Sequence, residues 1–278
     1  MSYRILVPLD DSDWSRSAAQ LALWLADRSP DAVTVTGLHV INVTQSRGAW
    51  LEDLAGHLGF EPVIVPEKVE QTFRERGEAL INEFEGQCQT LGITFQTELV
   101  VGSVVDRIVH HGDHHDLLVM GVRGETETRF PGQGGGTTER VLRRASISVL
   151  TVPRHQRGLT GIALGYDGSD GAARALNTVR HLSELAALPV HVFFATEGAP
   201  EGVSVQEAIS RLEATGVQAI GSEVIGRPED ALPAGARAAG CDLLALGYRG
   251  RSQLKDIFLG RTTEWLVGKL DMAILVAR

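Results

Sequence analysis

Two acids stand where an apolar run stops: Asp10 after "ILVPL" and Asp167 after "IALGY". Two glycine pairs close a second kind of apolar run, Gly121/Gly124 after "DLLVM" and Gly247/Gly250 after "DLLAL". Each pair leads on to a further glycine and a threonine pair at the start of a helical pattern. In the first case these are Gly135, Gly136, Thr137 and Thr138; in the second they are Gly260, Arg261, Thr262 and Thr263. Backbone amides without side chains, hydroxyl donors and the positive end of a helix are the parts that hold a phosphate group. A carboxylate beside them can hydrogen-bond a nucleotide or hold a magnesium ion next to a triphosphate. The plain alternative uses the same residues: a threonine followed by Glu139 or Glu264 is an ordinary helix start, and glycines after a strand permit tight turns.

Other chemistry is weaker. "HHGDHHD" (His110 to Asp116) sets His110/His114 and His111/His115 four apart, a spacing that binds zinc on a helix. Gly112 and the strand that follows make this a helix end, where histidines sit near the negative dipole, and no metal is expected. Neither glycine loop has the G-x-x-x-x-G-K-[ST] form, and Lys255 is isolated, which argues against a fast P-loop ATPase. No G-x-S-x-G elbow is present. Cys88 and Cys241 are the only cysteines and have neither metal nor redox spacing. They read as buried or helix-face thiols of a reducing compartment.

The elements that would position these groups occur twice. "ILVPLDDSD" recurs as "IALGYDGSD", "DLLVMGVRG" as "DLLALGYRG", "TTERVL" as "TTEWLV" and "VLTVPR" as "ILVAR", in the same order. This is a tandem duplication. The offset between copies falls from 157 at the first strand to 124 at "VVGSVVD"/"VIGRPED", so the first half carries 33 extra residues between its second and third strands. The boundary falls in "PRHQRG", giving domains 1–155 and 156–278. In the first half, strands are expected at 4–9, 33–40, 93–100, 117–121 and 147–152, and helices at 13–26, 67–91, 104–111 and 137–144. The second half repeats this with a shorter second helix. Strand–helix alternation with strands buried on both faces implies a parallel, doubly wound α/β sheet in each half. Ligands of such sheets bind beyond the carboxyl ends of the strands, where strand order reverses. Trp14, Trp24, Trp50 and Trp265 read as packing residues, and "RGAWLEDLAGHLGF" as an amphipathic lid or partner surface.

With 278 residues, 43% hydrophobic and 22% charged, the chain has ample core material. A formal charge of −9 and no Lys/Arg cluster exclude an ordinary nucleic-acid surface. No window approaches the roughly 18 apolar residues of a membrane span, and "MSYRILVPLDDS" lacks a signal-peptide pattern, so a cytoplasmic location is expected.

"VPLDDS" and "YDGS", "DLLVMGVRG" and "DLLALGYRG", and the two glycine-to-threonine loops together resemble the universal stress protein family in its tandem form. The likeness spans nearly the whole chain apart from the extra segment. It implies two stacked, five-stranded α/β sandwiches joined through their last strands as a pseudo-dimer, alone or within a homo-oligomer. It also implies a stress-response role, with ATP or another adenine nucleotide, with or without Mg²⁺, as a regulatory ligand. The ATP-binding members have a G-x2-G-x9-G-(S/T) loop. Adenine then lies near Pro8, Leu9, Asp10, Val40 and Met120, and phosphates near Gly121, Arg123, Gly124, Gly135, Gly136, Thr137 and Thr138. The second-half matches are Asp167, Ala195, Leu246, Gly247, Arg249, Gly250, Gly260, Arg261, Thr262 and Thr263. The departures are specific. Arg261 replaces the small hydroxyl residue, Gly135 comes one residue late, and Asp11 sits where the family prefers glycine. "FPGQGGG" adds an ordering cost. If one site works, the first is favoured. A nucleotide-free interaction scaffold and a slow ATPase are the alternatives.

Overall fold

The computed structural model describes residues 2–29, 31–42, 67–124, 136–196, 205–248, 266–267 and 270–278. The first half runs β1 (Tyr3–Pro8), α1 (Asp13–Asp27), β2 (Val33–Ile41), α2 (Glu67–Leu91), β3 (Thr94–Val101), α3 (Val104–Gly112), β4 (Leu117–Gly121), α4 (Thr137–Arg144) and β5 (Ser148–Val152). The second half runs β6 (Ile162–Gly165), α5 (Asp170–Ala186), β7 (Val190–Thr196), α6 (Val205–Glu213), β8 (Ala219–Ile225), α7 (Pro228–Ala238), β9 (Leu243–Gly247) and β10 (Ala273–Ala277). The 33 extra residues are felt directly, since α2 has 25 residues where its counterpart α6 has 9. The segment "RGAWLEDLAGHLGF", Trp50 and Trp265 lie outside the described residues.

Strand order is β3-β2-β1-β4-β5-β10-β9-β6-β7-β8. The halves meet through their last strands, as expected, but edge to edge rather than stacked, in one ten-stranded sheet. Every neighbouring pair is parallel except β5 and β10, where Leu150 faces Leu275 and Val149 faces Val276. That one antiparallel pair has a geometric consequence. The carboxyl ends of the first five strands and of the last five lie on opposite edges of the sheet, and with them the two candidate sites.

One apolar cluster packs α1, α2, α5 and α6 on one face of the sheet and runs through both halves; the other face is covered by α3, α4 and α7. α1 starts because Ser12 accepts from the Ser15 amide, and α5 because Ser169 accepts from the Ala172 amide, the same N-cap in both copies. The junction is held against α1. Trp24 fills the space beside Gly158, whose missing Cβ would stand 2.9 Å from the indole nitrogen, and the His155 amide donates to Ser17. Arg154 pairs with Asp13 and lies 5.6 Å over the Trp14 ring. Cys88 and Cys241 are both free and buried, and burial pushes each thiol up to about 11. No helix among the described residues is long and apolar enough to cross a membrane.

The histidine cluster falls at the amino edge of the first-half sheet, away from the glycine loop. α3 ends at Gly112, so His114 and His115 lie beyond the helix and the four-residue spacing is not kept on one helical face. His111 instead donates to Glu98 on β3 at 2.8 Å. His115 donates through Nδ1 to the His111 carbonyl at 2.7 Å and accepts at Nε2 from the Thr36 hydroxyl at 2.9 Å. Among the described residues no group of three or more side chains is placed to hold a metal ion. Burial lowers the His115 pKa below its ordinary 6.5, and burial lowers that of His191 as well. The unfolded chain then takes up these protons first, so stability falls as pH drops below about 6.5. Urea melts between pH 7.5 and 5.5 should show that loss, and the slope should flatten in a His115→Gln, His191→Gln double variant.

Candidate functional site

The site is built from the end of β1. Beyond Pro8, the Leu9 amide still donates to the Leu38 carbonyl at 2.8 Å, so the chain leaves the sheet only at Asp10. There the Asp10 amide donates to the Ser15 hydroxyl, and Asp10 Oδ1 accepts from the Ser12 amide, each at 2.9 Å. This side-chain turn leads straight into the N-cap of α1. Asp10 Oδ2 faces the other way. It stands 3.1 Å from where a Cβ on Gly124 would be, so the first-strand acid and the second glycine of the loop adjoin one another. β1 and β4 are neighbours in the sheet, and the strand order reverses between them.

Gly121 has a different reason to be glycine. A Cβ there would lie 2.6 Å from Trp14 Cβ and 2.9 Å from both the Trp14 and Arg123 backbones. The first turn of α1 rests directly on the end of β4. Thr138, only 2% exposed, donates its hydroxyl to the Gly121 carbonyl at 2.8 Å and so ties the start of α4 to the same point. Thr138 is therefore spent on the protein. Gly136 is the N-cap of α4 and supplies no side-chain cap, while Thr137 is half-buried beside it. That leaves the first amides of α4 without a capping side chain from the N-cap position. Arg123 is exposed. Gly135 lies outside the described residues, as does the rest of "FPGQGGG" before Gly136.

The apolar members of the set divide between the faces. Val40 and Met120 pack with the α3/α4 cluster, and Pro8 shares their face by the two-residue period of β1. Leu9 packs on the opposite face with α1 and α2. The structure thus gathers Asp10, Gly121, Gly124, Gly136 and Thr137 at one edge, with Pro8, Val40 and Met120 below them on one side.

His39 and Arg76 near this edge escaped the sequence reading, and Asp11 enters it only as a departure from the family glycine. His39 donates from Nδ1 to the Leu9 carbonyl at 2.8 Å and lies against Gly77 of α2, whose Cβ would stand 2.7 Å from the ring. Its position at the end of β2, paired with a glycine inside an otherwise amphipathic helix, was the available signal. Asp11 pairs with Arg76 of α2 at 2.5 Å and with Arg16 of α1 at 2.7 Å. The hydrogen bond from Arg76 chiefly holds the Asp11 carboxyl below its ordinary value. The residue that stands in place of a family glycine is therefore half of a bridge between the first turn after β1 and the long helix α2.

The second half repeats the turn but not its surroundings. Asp167 Oδ1 accepts from the Ser169 amide at 3.0 Å and from its hydroxyl at 2.5 Å. Gly247 meets the backbone of Gly171 on α5, with a Cβ only 2.3 Å from the Gly171 carbonyl carbon, the counterpart of Gly121 under Trp14. Where the first half has Pro8, the second has Gly165, and Leu246 reaches to 2.7 Å of its missing Cβ. Ala195 packs on the same face as Leu246. Arg278 lies 3.4 Å over the ring of Tyr248, the residue after Gly247, and donates to the Leu142 carbonyl of α4 across the junction. Arg249, Gly250, Gly260, Arg261, Thr262 and Thr263 lie outside the described residues.

Comparison with known proteins agrees with the duplication. Universal stress protein Slr1230 of Synechocystis sp. is 24% identical over 286 aligned positions that cover 99% of both chains. Universal stress protein MJ0531 of Methanocaldococcus jannaschii is 26% identical over 161 positions, 55% of this chain and 84% of its own. The crystal structure of a universal stress protein from Archaeoglobus fulgidus matches with a TM-score of 0.74 at 18% identity, covering 99% of this chain and 96% of that one, a likeness of fold. A model of the universal stress protein family matches residues 1–153 and again residues 160–278. The chain therefore belongs to the universal stress protein family, as two family domains in tandem.

Proposed function

We propose that the first-half edge binds ATP or a related adenine nucleotide as a regulatory ligand, in a cytoplasmic stress-response protein. The observation that carries this reading is the contact of Asp10 with Gly124 at the β1/β4 switch point, above a helix start whose N-cap has no side chain to offer. Asp10 Oδ2 then serves the base or ribose, and the loop amides with those of α4 serve the phosphates. A magnesium ion, where one accompanies the triphosphate, would be held by Asp10. The second half is the weaker candidate, because Leu246 occupies the space beside Gly165.

A nucleotide-free scaffold is the second reading, and one observation favours it: Gly121, Gly247 and Thr138 are all explained by packing without a ligand. Calorimetry with ATP and Mg²⁺ separates the two. Saturable heat is expected, weakened about ten- to a hundredfold by Asp10→Ala, the range for losing a charged hydrogen-bond partner. Asp10→Asn keeps an acceptor for the Ser12 amide and so controls for loss of the turn. No heat, and no nucleotide released on denaturing the purified chain, would establish the scaffold. Turnover of labelled ATP that persists in an Asp10→Ala, Asp167→Ala double variant would remove the slow-ATPase alternative.

A further inference from the structure

The two halves differ most usefully at the edge that carries no glycine loop. In the first half, the amino ends of the strands are covered. Arg4 sits at the entry to β1 with its guanidinium 3.9 Å from Asp116, and the His115 ring closes over Thr36. In the second half the matching positions are fixed by register. Ile5 and Ile162 pair with Leu117 and Leu243, so Gly161 takes the place of Arg4. The Asp116 amide donates to the Arg4 carbonyl and the Asp242 amide to the Gly161 carbonyl, which places Cys241 where His115 stands. Leu6 faces Thr36 and Ala163 faces His191, so His191 takes the place of Thr36.

The exchange removes a guanidinium from above the strand ends and moves the imidazole onto the strand itself, as His191. A groove of about 420 Å³ remains there, lined by Gly161, Val190, His191, Glu213, Ile220 and Cys241 among others. That volume falls within the ordinary range of small-molecule sites. Its apolar wall includes Ile220, which is 58% exposed. The His191 ring is stacked on Phe193 with centroids 5.2 Å apart, so it is held flat.

The electrostatics of the groove have one sign. Among the described residues that line it there is no lysine or arginine, and Glu213 is their one carboxylate. Glu213 ends α6, and Ala239 and Gly240 follow the end of α7, so the carboxyl ends of two helices border the same space. Burial disfavours a proton on His191, which therefore offers a ring nitrogen as an acceptor. In the first half a planar guanidinium from the chain itself stands at the corresponding point.

We propose that this groove is a binding site for a small organic cation with a planar amidinium or guanidinium head and an apolar body. The head lies against Glu213 in the space left open at Gly161, and the body lies along Ile220 and the His191 ring.

Benzamidine is a suitable probe, followed by amide and side-chain NMR shifts on the full chain. Saturable shifts are expected at Gly161, His191, Ile220 and Gly240. Gly161→Arg restores the first-half residue and fills the groove from within. Its Cβ would meet Cys241 Sγ at 3.4 Å and Pro189 at 3.7 Å, ordinary contacts, so the variant should fold. Benzamidine binding should weaken at least tenfold in Gly161→Arg and also in Glu213→Gln, a change at an exposed position. Shifts that never saturate, or that survive Gly161→Arg unchanged, would overturn the proposal.

Discussion

Gly247→Ala should destabilise the protein by about 3 kcal/mol or more, and Gly121→Ala by about 2–3 kcal/mol, the upper part of the range for overpacking a tight interior. The two positions are copies of one design. At Gly247 the added methyl meets the Gly171 carbonyl carbon at 2.3 Å, its oxygen at 2.6 Å and its Cα at 2.8 Å. All three are backbone atoms of α5, and none can rotate aside. The helix would have to lift from the sheet, opening contacts with β9 and β10 along its buried face. At Gly121 the obstacle is Trp14 Cβ at 2.6 Å together with two backbone atoms at 2.9 Å; a Cβ is fixed by its own backbone, so α1 must shift here too, but by less than α5 at Gly247. Gly124→Ala is the control. Among the described residues its Cβ would meet only Asp10 Oδ2, at 3.1 Å, the tip of a side chain. Urea midpoints should therefore drop sharply for Gly247→Ala and Gly121→Ala and hardly move for Gly124→Ala. ATP affinity should respond to Gly124→Ala if the loop is a phosphate cradle. Equal stability of all three variants would show that α1 and α5 are not seated as described.

This difference between neighbouring glycines explains what the sequence could and could not say about the site. Spacing alone makes Gly121 and Gly124 equal members of one motif. In three dimensions the first is demanded by a helix lying on a strand end, and the second opens the space beside the acid. Both needs produce the same letter. Thr138 is similar: a hydroxyl at a helix start reads as a donor for a ligand, but its buried oxygen is bonded to Gly121. Asp10 stood out as a candidate because an acid closing an apolar strand has no role inside a core, and the structure sets it beside Gly124. The Asp11–Arg76 pair and the packing of His39 on Gly77 were not legible, since both depend on how the long α2 lies over the end of β2.

The fold was more open to reading. Helix and strand positions follow from periodicity, and α2, β4 and α4 end where the pattern ends. The duplication supplied each element with a second example. The side-by-side union of the sheets was present only as a faint sign. β5 and β10 are buried at every position, "SVLTV" and "AILVA", whereas the outer strands β3 and β8 alternate between exposed and half-buried residues. A strand at the rim of a sheet carries polar or charged positions. Two last strands that carry almost none must each have neighbours on both sides, and each can be the other's neighbour.

Because β5 and β10 form the middle of the sheet, damage in one half should be felt in both. Leu275 and Leu150 face each other across the antiparallel pair, and each is 0% exposed. Leu275→Ala leaves a cavity between the halves and should cost about 3 kcal/mol, within the 2–5 kcal/mol usual for such truncations. In a Trp265→Phe background the remaining tryptophans, Trp14, Trp24 and Trp50, all belong to the first half. Their fluorescence should nevertheless shift to a lower urea midpoint with Leu275→Ala, in step with far-UV circular dichroism. The physical reason is the shared core: Leu275, Leu150, Leu25 and Leu182 belong to one buried cluster spanning β5, β10, α1 and α5. Cooperativity follows when neither half can bury that cluster alone. A fluorescence midpoint that stays in place while circular dichroism moves would mean that the first half folds independently and that the central pair merely docks two finished domains.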